Sequence, residues 1–337
     1  MLNAWSDRPA FRAVTVRERA FAALLASVAL IGAAVNHWST PILGPPMARD
    51  GYGRAATQVG SRSYPREAID ADGFRVRIPH KPLRIASQYW SIDEYLYSIV
   101  PPERVIAVSE SAYLKGISNV LELVTKFHPD VAADPERVLR VNPDLIIVSS
   151  SSQSDFTSLM RTSGIPVFRM FIDFKTLQQI EEYIRLVGYL TGEDERAEAV
   201  AARFHADVEA AKALHPPGAR RPRVVALGGK YTYGSGTLFD DTVKAVGGVN
   251  PAAEAGLKGY DMVNSEQLAR WNPEWIVAGA NQGQLDETRR KILTDPGVAL
   301  TDAGRNGHVL VLENRVFLPM SPYATGRLTA LAEALWK

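Results

Sequence analysis

The chain has 337 residues, 46% of them hydrophobic, with 38 Lys plus Arg against 37 Asp plus Glu, a formal net charge of +1. That length and content can bury a core large enough for two domains, and the even charge balance argues against a nucleic-acid or other polyanionic partner. The absence of cysteine excludes disulfides, thiolate metal sites, cysteine nucleophiles and a lipidated N-terminal cysteine.

Arg12, Arg17 and Arg19 precede an uncharged apolar run, AFAALLASVALIGAAV from Ala20 to Val35, and a polar, proline-rich stretch follows. A basic region, an apolar core and small residues such as Gly32 and Ala34 near a cleavage point resemble a secretory signal. The run falls short of the roughly 20 residues that span a bilayer. Residues 1–48 are therefore expected to be a signal peptide or an N-terminal anchor with its linker, the alternative being a buried helix of the fold. Export to the periplasm is the working expectation.

After a flexible segment to about residue 65, strands and helices alternate. LRIAS (83–87), RVIAVS (104–109), DLIIVSS (144–150) and PVFRMF (166–171) have the branched, apolar character of short strands. SIDEYLYSIV and SDFTSLMRTSG between them read as helices, and the alternation predicts a mostly parallel α/β sheet. In SIDE, Ser91 and Glu94 have the spacing of a capping box, which makes Glu94 structural. From 175 to 215 the strand signal disappears, and the Ala-, Glu- and Arg-rich piece ending near Leu214 predicts a helix on the order of 30 Å long. HPPGARRP (215–222) stops it. Alternation then resumes through RVVALGG, TLFDDTVKAVGG, EWIVAGA, HVLVLENRVFLPM and GRLTALAEALWK. The expected plan is an N-terminal α/β lobe (66–174), a helical bridge (175–215) and a C-terminal α/β lobe (222–337), with a ligand cleft between the lobes.

One phrase occurs twice. PERVLRVNPDLIIV (135–148) and SEQLARWNPEWIVA (265–278) each place a glutamate, Glu136 or Glu266, seven positions ahead of a proline, follow the proline with an acid and end in an apolar run. Proline disfavours helix in the residue before it, so Asn142 and Asn272 are expected helix ends. The duplication predicts two lobes of like topology.

The ordered set IPHKPLRIAS, ERVIAVS, NPDLIIV, GIPV, GSGTLFDDTVKAVGGVNPAAEAGLKGYDMVNSEQL and NPEWIVAG, over roughly residues 78 to 337, resembles the periplasmic substrate-binding proteins of ABC importers for iron siderophores, haem and vitamin B12. The resemblance implies two similar lobes joined by one long helix and delivery of ligand to an inner-membrane permease. It also implies that one glutamate on each lobe, Glu136 and Glu266, docks onto permease arginines. Paired exposed carboxylates give orientation and on-rate more than affinity; the alternative is two ordinary solvated helix glutamates.

Ligands of open α/β sheets bind beyond the carboxyl ends of the strands, and those loops are aromatic here. Tyr89 and Trp90 follow the first strand, Tyr113 the second, and Lys230, Tyr231 and Tyr233 follow RVVALGG; Tyr260 and Tyr323 come later. Flat rings with a polar tip suit a large, partly apolar ligand. Tyr89 and Trp90 could instead pack under a loop, Tyr260 could fill the core, and Ser149 to Ser152 read as a solvated polar loop. The six histidines lack ligand spacing, with His205 and His308 read as structural or solvated, so no protein-bound metal and no resident cofactor are expected. Lys115 and Lys230 are the only lysines expected in the cleft. Few cations lean toward a neutral or weakly charged ferric siderophore, with cobalamin a close competitor and haem, through an axial tyrosine, a further alternative.

GGKYTYGSGT lacks the spacing of a phosphate loop and no Gly-x-Ser-x-Gly elbow occurs. The expectation is a monomeric binding protein and not an enzyme. A metal-chelate-processing enzyme on a similar two-lobed fold is the alternative of another class, and a membrane-anchored sensor is a third.

Overall fold

The structure is a computed structural model in which residues 57–152 and 154–337 are described. The export segment expected over 1–48 lies outside the described residues; among these, no helix is long and apolar enough to cross a membrane.

The described chain opens with an antiparallel meander, β1 (Thr57–Val59), β2 (Arg66–Ile69) and β3 (Arg75–Ile78). This corrects the expectation of a flexible segment to about residue 65. Strands of three or four residues carry no periodicity to read, and it is a tertiary anchor that holds them. The buried Arg66 guanidinium donates to the Tyr189 carbonyl at 2.6 Å and to Asp194 at 2.7 Å, and lies 4.8 and 5.0 Å from the rings of Tyr64 and Tyr189. A buried charge is tolerated only with such pairing.

The N-terminal lobe follows as β4 (Ile85–Ser87), α1 (Trp90–Ile99), β5 (Val105–Val108), α2 (Leu121–Phe127), β6 (Asp130–Val131), α3 (Pro135–Arg140), β7 (Leu145–Ser149), α4 (Ser154–Thr162) and β8 (Val167–Met170). Its five strands are all parallel, in the order β6-β5-β4-β7-β8. Every residue of β7 is buried, which is why LIIVS reads as a continuous apolar run and not as an alternation: helices cover both faces of a parallel sheet. The strand order reverses between β4 and β7, the place where such sheets open a crevice.

The expected bridge is two helices, α5 (Leu177–Thr191) and α6 (Asp194–Lys212), which turn at Gly192 and pack on each other. A Cβ on Gly188 would come within 2.2 Å of the Ala197 Cβ, so the two axes approach as closely as they do only because these residues are small. Thr176 and Gln179 form the capping box that starts α5. At its 19 residues, α6 is about 28 Å long.

The C-terminal lobe comprises β9 (Val224–Leu227), β10 (Tyr231–Tyr233), α7 (Leu238–Ala245), α8 (Pro251–Glu254), β11 (Tyr260–Met262), α9 (Ser265–Trp271), β12 (Trp275–Ala280), α10 (Leu285–Leu293), α11 (Pro296–Ala299), α12 (Asp302–Asn306), β13 (Val309–Glu313), α13 (Asn314–Phe317) and α14 (Thr325–Trp336). β13, β12 and β9 form a parallel sheet, and β10 with β11 a separate antiparallel ribbon. One apolar cluster runs from Ile85 and Leu145 through Ile184 and Phe204 into Val224, Val277 and Leu328, so the lobes share a core through α5 and α6.

The doubled phrase has a structural cause. Asp144 and Glu274, the acids after each proline, clamp the backbone that enters the first strand of each lobe. Asp144 accepts from the N–H groups of Leu83 at 2.7 Å and Arg84 at 2.9 Å, ahead of β4; Glu274 accepts from that of Arg223 at 3.1 Å, ahead of β9. The arginine there answers in kind. Arg84 donates to the carbonyls of Val141 and Asn142 after α3, and Arg223 twice to that of Trp271 at the end of α9. Asn142 and Asn272 both adopt a left-handed turn, φ 47° and 40°, between helix and strand, a conformation asparagine tolerates better than most residues.

A second polar device joins the lobes. Glu94 does not form the expected capping box: α1 starts at Trp90 with Tyr89 as its cap, so Ser91 already lies inside the helix. The Glu94 carboxyl is buried, accepts from Asn119 Nδ2 at 2.7 Å and from the Ser321 hydroxyl of the other lobe. Asn119 also donates to the Arg315 carbonyl at 2.7 Å, and the Arg315 N–H to Gly116 O at 2.9 Å. Burial pushes the Glu94 carboxyl up to about 8, and that of its neighbour Asp93, held by Ser87 and Ser109, up to about 7.

Two outcomes follow in stability. Asp144→Ala and Glu274→Ala should each lower the unfolding free energy by about 1–3 kcal/mol, since each strands backbone donors; denaturant midpoints unchanged from the native protein would refute the clamp. Because the folded state holds protons that unfolded Asp93 and Glu94 release near 3.8 and 4.5, their contribution is complete below about pH 4 and is lost as pH rises through 7 and 8. Glu94→Gln should flatten the fall of the thermal midpoint between pH 6 and 8.5, and an unaltered slope would overturn the assignment.

Candidate ligand-binding cleft

The segment after β5 meets the one after β13 where Gly116 and Asn119 hydrogen-bond the Arg315 backbone. Tyr89 and Trp90 leave β4 at the point where strand order reverses. Both are half-buried, with ring centroids 6.0 Å apart, and Tyr89 caps α1 with its backbone.

Opposite them stands the β10–β11 ribbon. Its register pairs Tyr231 with Met262 and Tyr233 with Tyr260, and alternate residues share a face, so these four side chains form one platform. Thr232 points the other way, buried, with its hydroxyl on the Ala226 carbonyl at 2.8 Å. Tyr231, Tyr260 and Met262 are 54%, 50% and 59% exposed, an unusual outlay of apolar surface for one short ribbon. Tyr233 anchors the platform, with edge contacts to Tyr260 at 5.1 Å and Phe317 at 6.1 Å and a tilted contact to Phe239 at 5.6 Å. Tyr260 therefore does not fill the core.

Electrostatics tie the two walls together. Desolvation pushes the Tyr260 hydroxyl up to about 12 although half of the ring is open, with smaller contributions from Asp173, Tyr233 and, across the cleft, Tyr89. Tyr233 and Tyr89 are raised by burial as well. All three are phenols at neutral pH, able to donate a hydrogen bond. Behind Tyr233 and Tyr260 lies Arg327 of α14, fully enclosed and with no carboxylate partner among the described residues. It donates to the Phe317 carbonyl and, at 3.4 Å, to Thr242 Oγ1, and burial lowers it to about 10. A cation in that position makes the platform's underside electropositive.

The other expected residues lie elsewhere or are otherwise engaged. The Tyr113 hydroxyl donates to the Pro129 carbonyl at 2.7 Å and its ring packs on the N-terminal core. Tyr323 lines a different groove with Ser98, Val200, Arg203 and Phe204, so it does not join the platform. Lys230 is exposed just before β10 and Lys115 is exposed after the short helical turn following β5. Ser149 to Ser152 are organised by Arg169, which donates to the carbonyls of Ser150 at 2.6 Å and Ser152 at 3.0 Å. His308 stacks on Trp275 at 4.5 Å and the exposed His205 lies 3.3 Å from Glu181. Among the described residues no three His, Asp or Glu side chains gather as a metal site.

Sequence reasoning did not single out Met262, Asp173 or Arg327 beside these tyrosines, nor Lys175 and Lys258, which line the cavity next to Gly259. Met262 and Lys258 flank Tyr260 in LKGYDM, and the alternation of that short stretch was the available signal; Arg327, on a helix far along the chain, offered none.

Glu136 and Glu266 occupy the same register. Each is the second residue of its helix, α3 or α9, and behind each stands a capping residue, Asp134 accepting from the Arg137 N–H at 2.8 Å and Asn264 from that of Gln267 at 2.8 Å. Both are exposed; Glu266 pairs with Arg270 at 2.7 Å, and Glu136 has no ion-pair partner among the described residues.

Comparison with known proteins agrees with this architecture. The iron(3+)-hydroxamate-binding protein FhuD of Bacillus subtilis (strain 168) is 25% identical over 308 residues, covering 85% of this chain and 90% of that protein. Among solved structures, the apo periplasmic haem-binding protein RhuT from Roseiflexus sp. RS-1 superposes with a TM-score of 0.65 at 26% identity, over 75% of this chain and 97% of that one. A periplasmic haem-binding protein from Pseudomonas aeruginosa, 22% identical with a TM-score of 0.63, covers 76% of this chain and 93% of its own and speaks to the fold alone. The periplasmic binding protein family matches residues 85–316, well over half of the chain, and the chain belongs to that family.

Proposed function

We propose that this protein is the extracytoplasmic substrate-binding component of an ABC importer and that it carries an iron chelate, a ferric siderophore or haem, held between Tyr89 and Trp90 on one lobe and the Tyr231, Tyr233, Tyr260 and Met262 platform on the other. The observation that carries this reading is the convergence of two aromatic walls at the mouth of both sheets, one of them half exposed. Such a cleft buries a large, partly apolar ligand and offers it phenol donors, while the metal travels inside the chelate and needs no protein ligand. The names borne by the relatives, one for ferric hydroxamate and others for haem, favour these two chelates over cobalamin. The protein is read as a monomeric carrier and not an enzyme.

Glu136 and Glu266 are the proposed contacts with permease arginines, one from each lobe. A glutamate at the second position of a helix is displayed outward and placed by the cap and clamp beneath it. Residues 1–48 are the proposed export segment, as a cleaved signal peptide or an anchor with its linker.

Titration followed by tryptophan fluorescence should show micromolar or tighter binding of a ferric hydroxamate or of haemin; absence of binding by both, and by cobalamin, would end the carrier reading. Tyr260→Ala and Tyr233→Ala should each weaken that binding about tenfold or more, since large buried aromatics dominate such contacts, and unaltered dissociation constants in both would remove the platform from the site. Reversing both Glu136 and Glu266 to lysine should leave the dissociation constant within about twofold and abolish uptake in cells. A comparable loss of affinity would instead place these residues in the ligand site.

A further inference from the structure

At the base of the platform the lobes leave a cavity of about 310 Å³. Phe171, Lys175 and Gln179 line it from the end of β8 and the start of α5, and Ser235, Gly236, Lys258 and Gly259 from the roots of β10 and β11. It adjoins the aromatic site directly, since Gly259 precedes Tyr260 and Ser235 stands two residues after Tyr233. Gly236 and Gly259 both hold left-handed backbone, φ 69° and 68°, with nothing within 4 Å of where a Cβ would be. Those positions require glycine for their conformation, and the missing side chains leave the cavity open. The roots are rigid: Gly234 and Ser235 N–H donate to the carbonyls of Gly259 and Leu257 at 2.8 and 2.9 Å, and the Gly259 N–H to Ser235 O at 2.9 Å.

The charges in this cavity are unbalanced. Lys175 forms an ion pair with Asp173, whereas Lys258 is exposed and has no ion-pair partner among the described residues. The cavity therefore carries a net positive charge within a few side-chain lengths of an aromatic platform. An ammonium bound to a carboxylate at such a site gains a charge-assisted hydrogen bond, and a partly enclosed pair is screened less than one in open solvent.

We propose that this cavity is a carboxylate subsite, in which Lys258, supported by Lys175, receives a free carboxylate on the periphery of the chelate while the chelate's apolar face lies on the platform. The inference rests on the carrier reading and narrows it: the ligand bears an anionic arm. That departs from the neutral chelate expected of a cleft thought to hold only Lys115 and Lys230. Two sources offer the same chemistry, the propionates of a tetrapyrrole and the free carboxylate of a citrate-based siderophore.

The test is a set of titrations of the full chain with two matched pairs of probes: haemin against its dimethyl ester, and a ferric citrate-based dihydroxamate against a neutral ferric trihydroxamate. In one pair the carboxylate-bearing member should bind at least about tenfold more tightly, and the pair that responds identifies the source. Lys258→Ala should abolish that difference while leaving the neutral member within about twofold, and Lys258→Arg should restore most of it. Lys258 is exposed, so these variants report on binding and not on folding. Equal affinities within both pairs, preference for the neutral members, or equal weakening of both members by Lys258→Ala would overturn the subsite while leaving the carrier reading in place. Failure of all four probes to bind would overturn both.

Discussion

The architecture depends on a carboxylate placed to receive the backbone N–H groups that enter the first strand of each lobe. Asp144 does this ahead of β4 and Glu274 ahead of β9, and an arginine at each strand head, Arg84 or Arg223, closes the loop by capping the carbonyls at the end of the helix that precedes the carboxylate. Helix, left-handed asparagine, proline, acid and strand thus form one unit. It sets the height of β7 against β4 and of β12 against β9, and from those two registers the remaining strands are built outward. Hydrogen bonds to a charged acceptor are stronger than neutral ones, which suits them to a junction where two short strands, three and four residues long, must begin in register.

The same unit explains why one phrase recurs in the sequence. Its apolar endings are buried strands and its acid and asparagine are fold, so the repeat is mainly structural. Glu136 and Glu266 have no part in the clamp. Because each sits at the second position of the helix that leads into the clamp, just after a capping residue, the device that fixes strand register also fixes where these carboxylates stand.

Much of the fold was legible because parallel strands covered on both faces are apolar throughout: LRIAS, RVIAVS, DLIIVSS and PVFRMF each contain an observed strand. What was not legible was held by contacts distant in sequence. The meander of β1 to β3 depends on Arg66 meeting Tyr189 and Asp194, more than a hundred residues away. Glu94 carried the spacing of a cap, yet α1 begins two residues earlier than that cap requires, and the freed carboxyl accepts from Ser321 of the opposite lobe. Of the aromatic residues expected at strand ends, Tyr231, Tyr233 and Tyr260 share one ribbon face and Tyr89 lies beside Trp90, whereas the Tyr113 hydroxyl is taken by the Pro129 carbonyl and Tyr323 lines a separate groove. Met262 alternates with Tyr260 in a strand of only three residues, so the signal there was a single step of the period.

The inter-lobe contacts bear on how such a cleft selects its ligand. The lobes share one apolar cluster through α5 and α6, and Glu94, Asn119 and Ser321 add buried hydrogen bonds across the boundary. Opening the lobes widely would expose part of that cluster and unpair a carboxyl whose partners lie on both sides, and each such loss costs free energy. Large closure is therefore disfavoured, and discrimination cannot rest on one lobe folding down over the ligand. On the proposed reading it rests on surfaces already in place, the tyrosines for area and phenol donors and the adjoining cavity for charge. In the same proposal the exposed Met262 at the edge would supply adaptability, since an unbranched thioether side chain can follow ligands of slightly different outline.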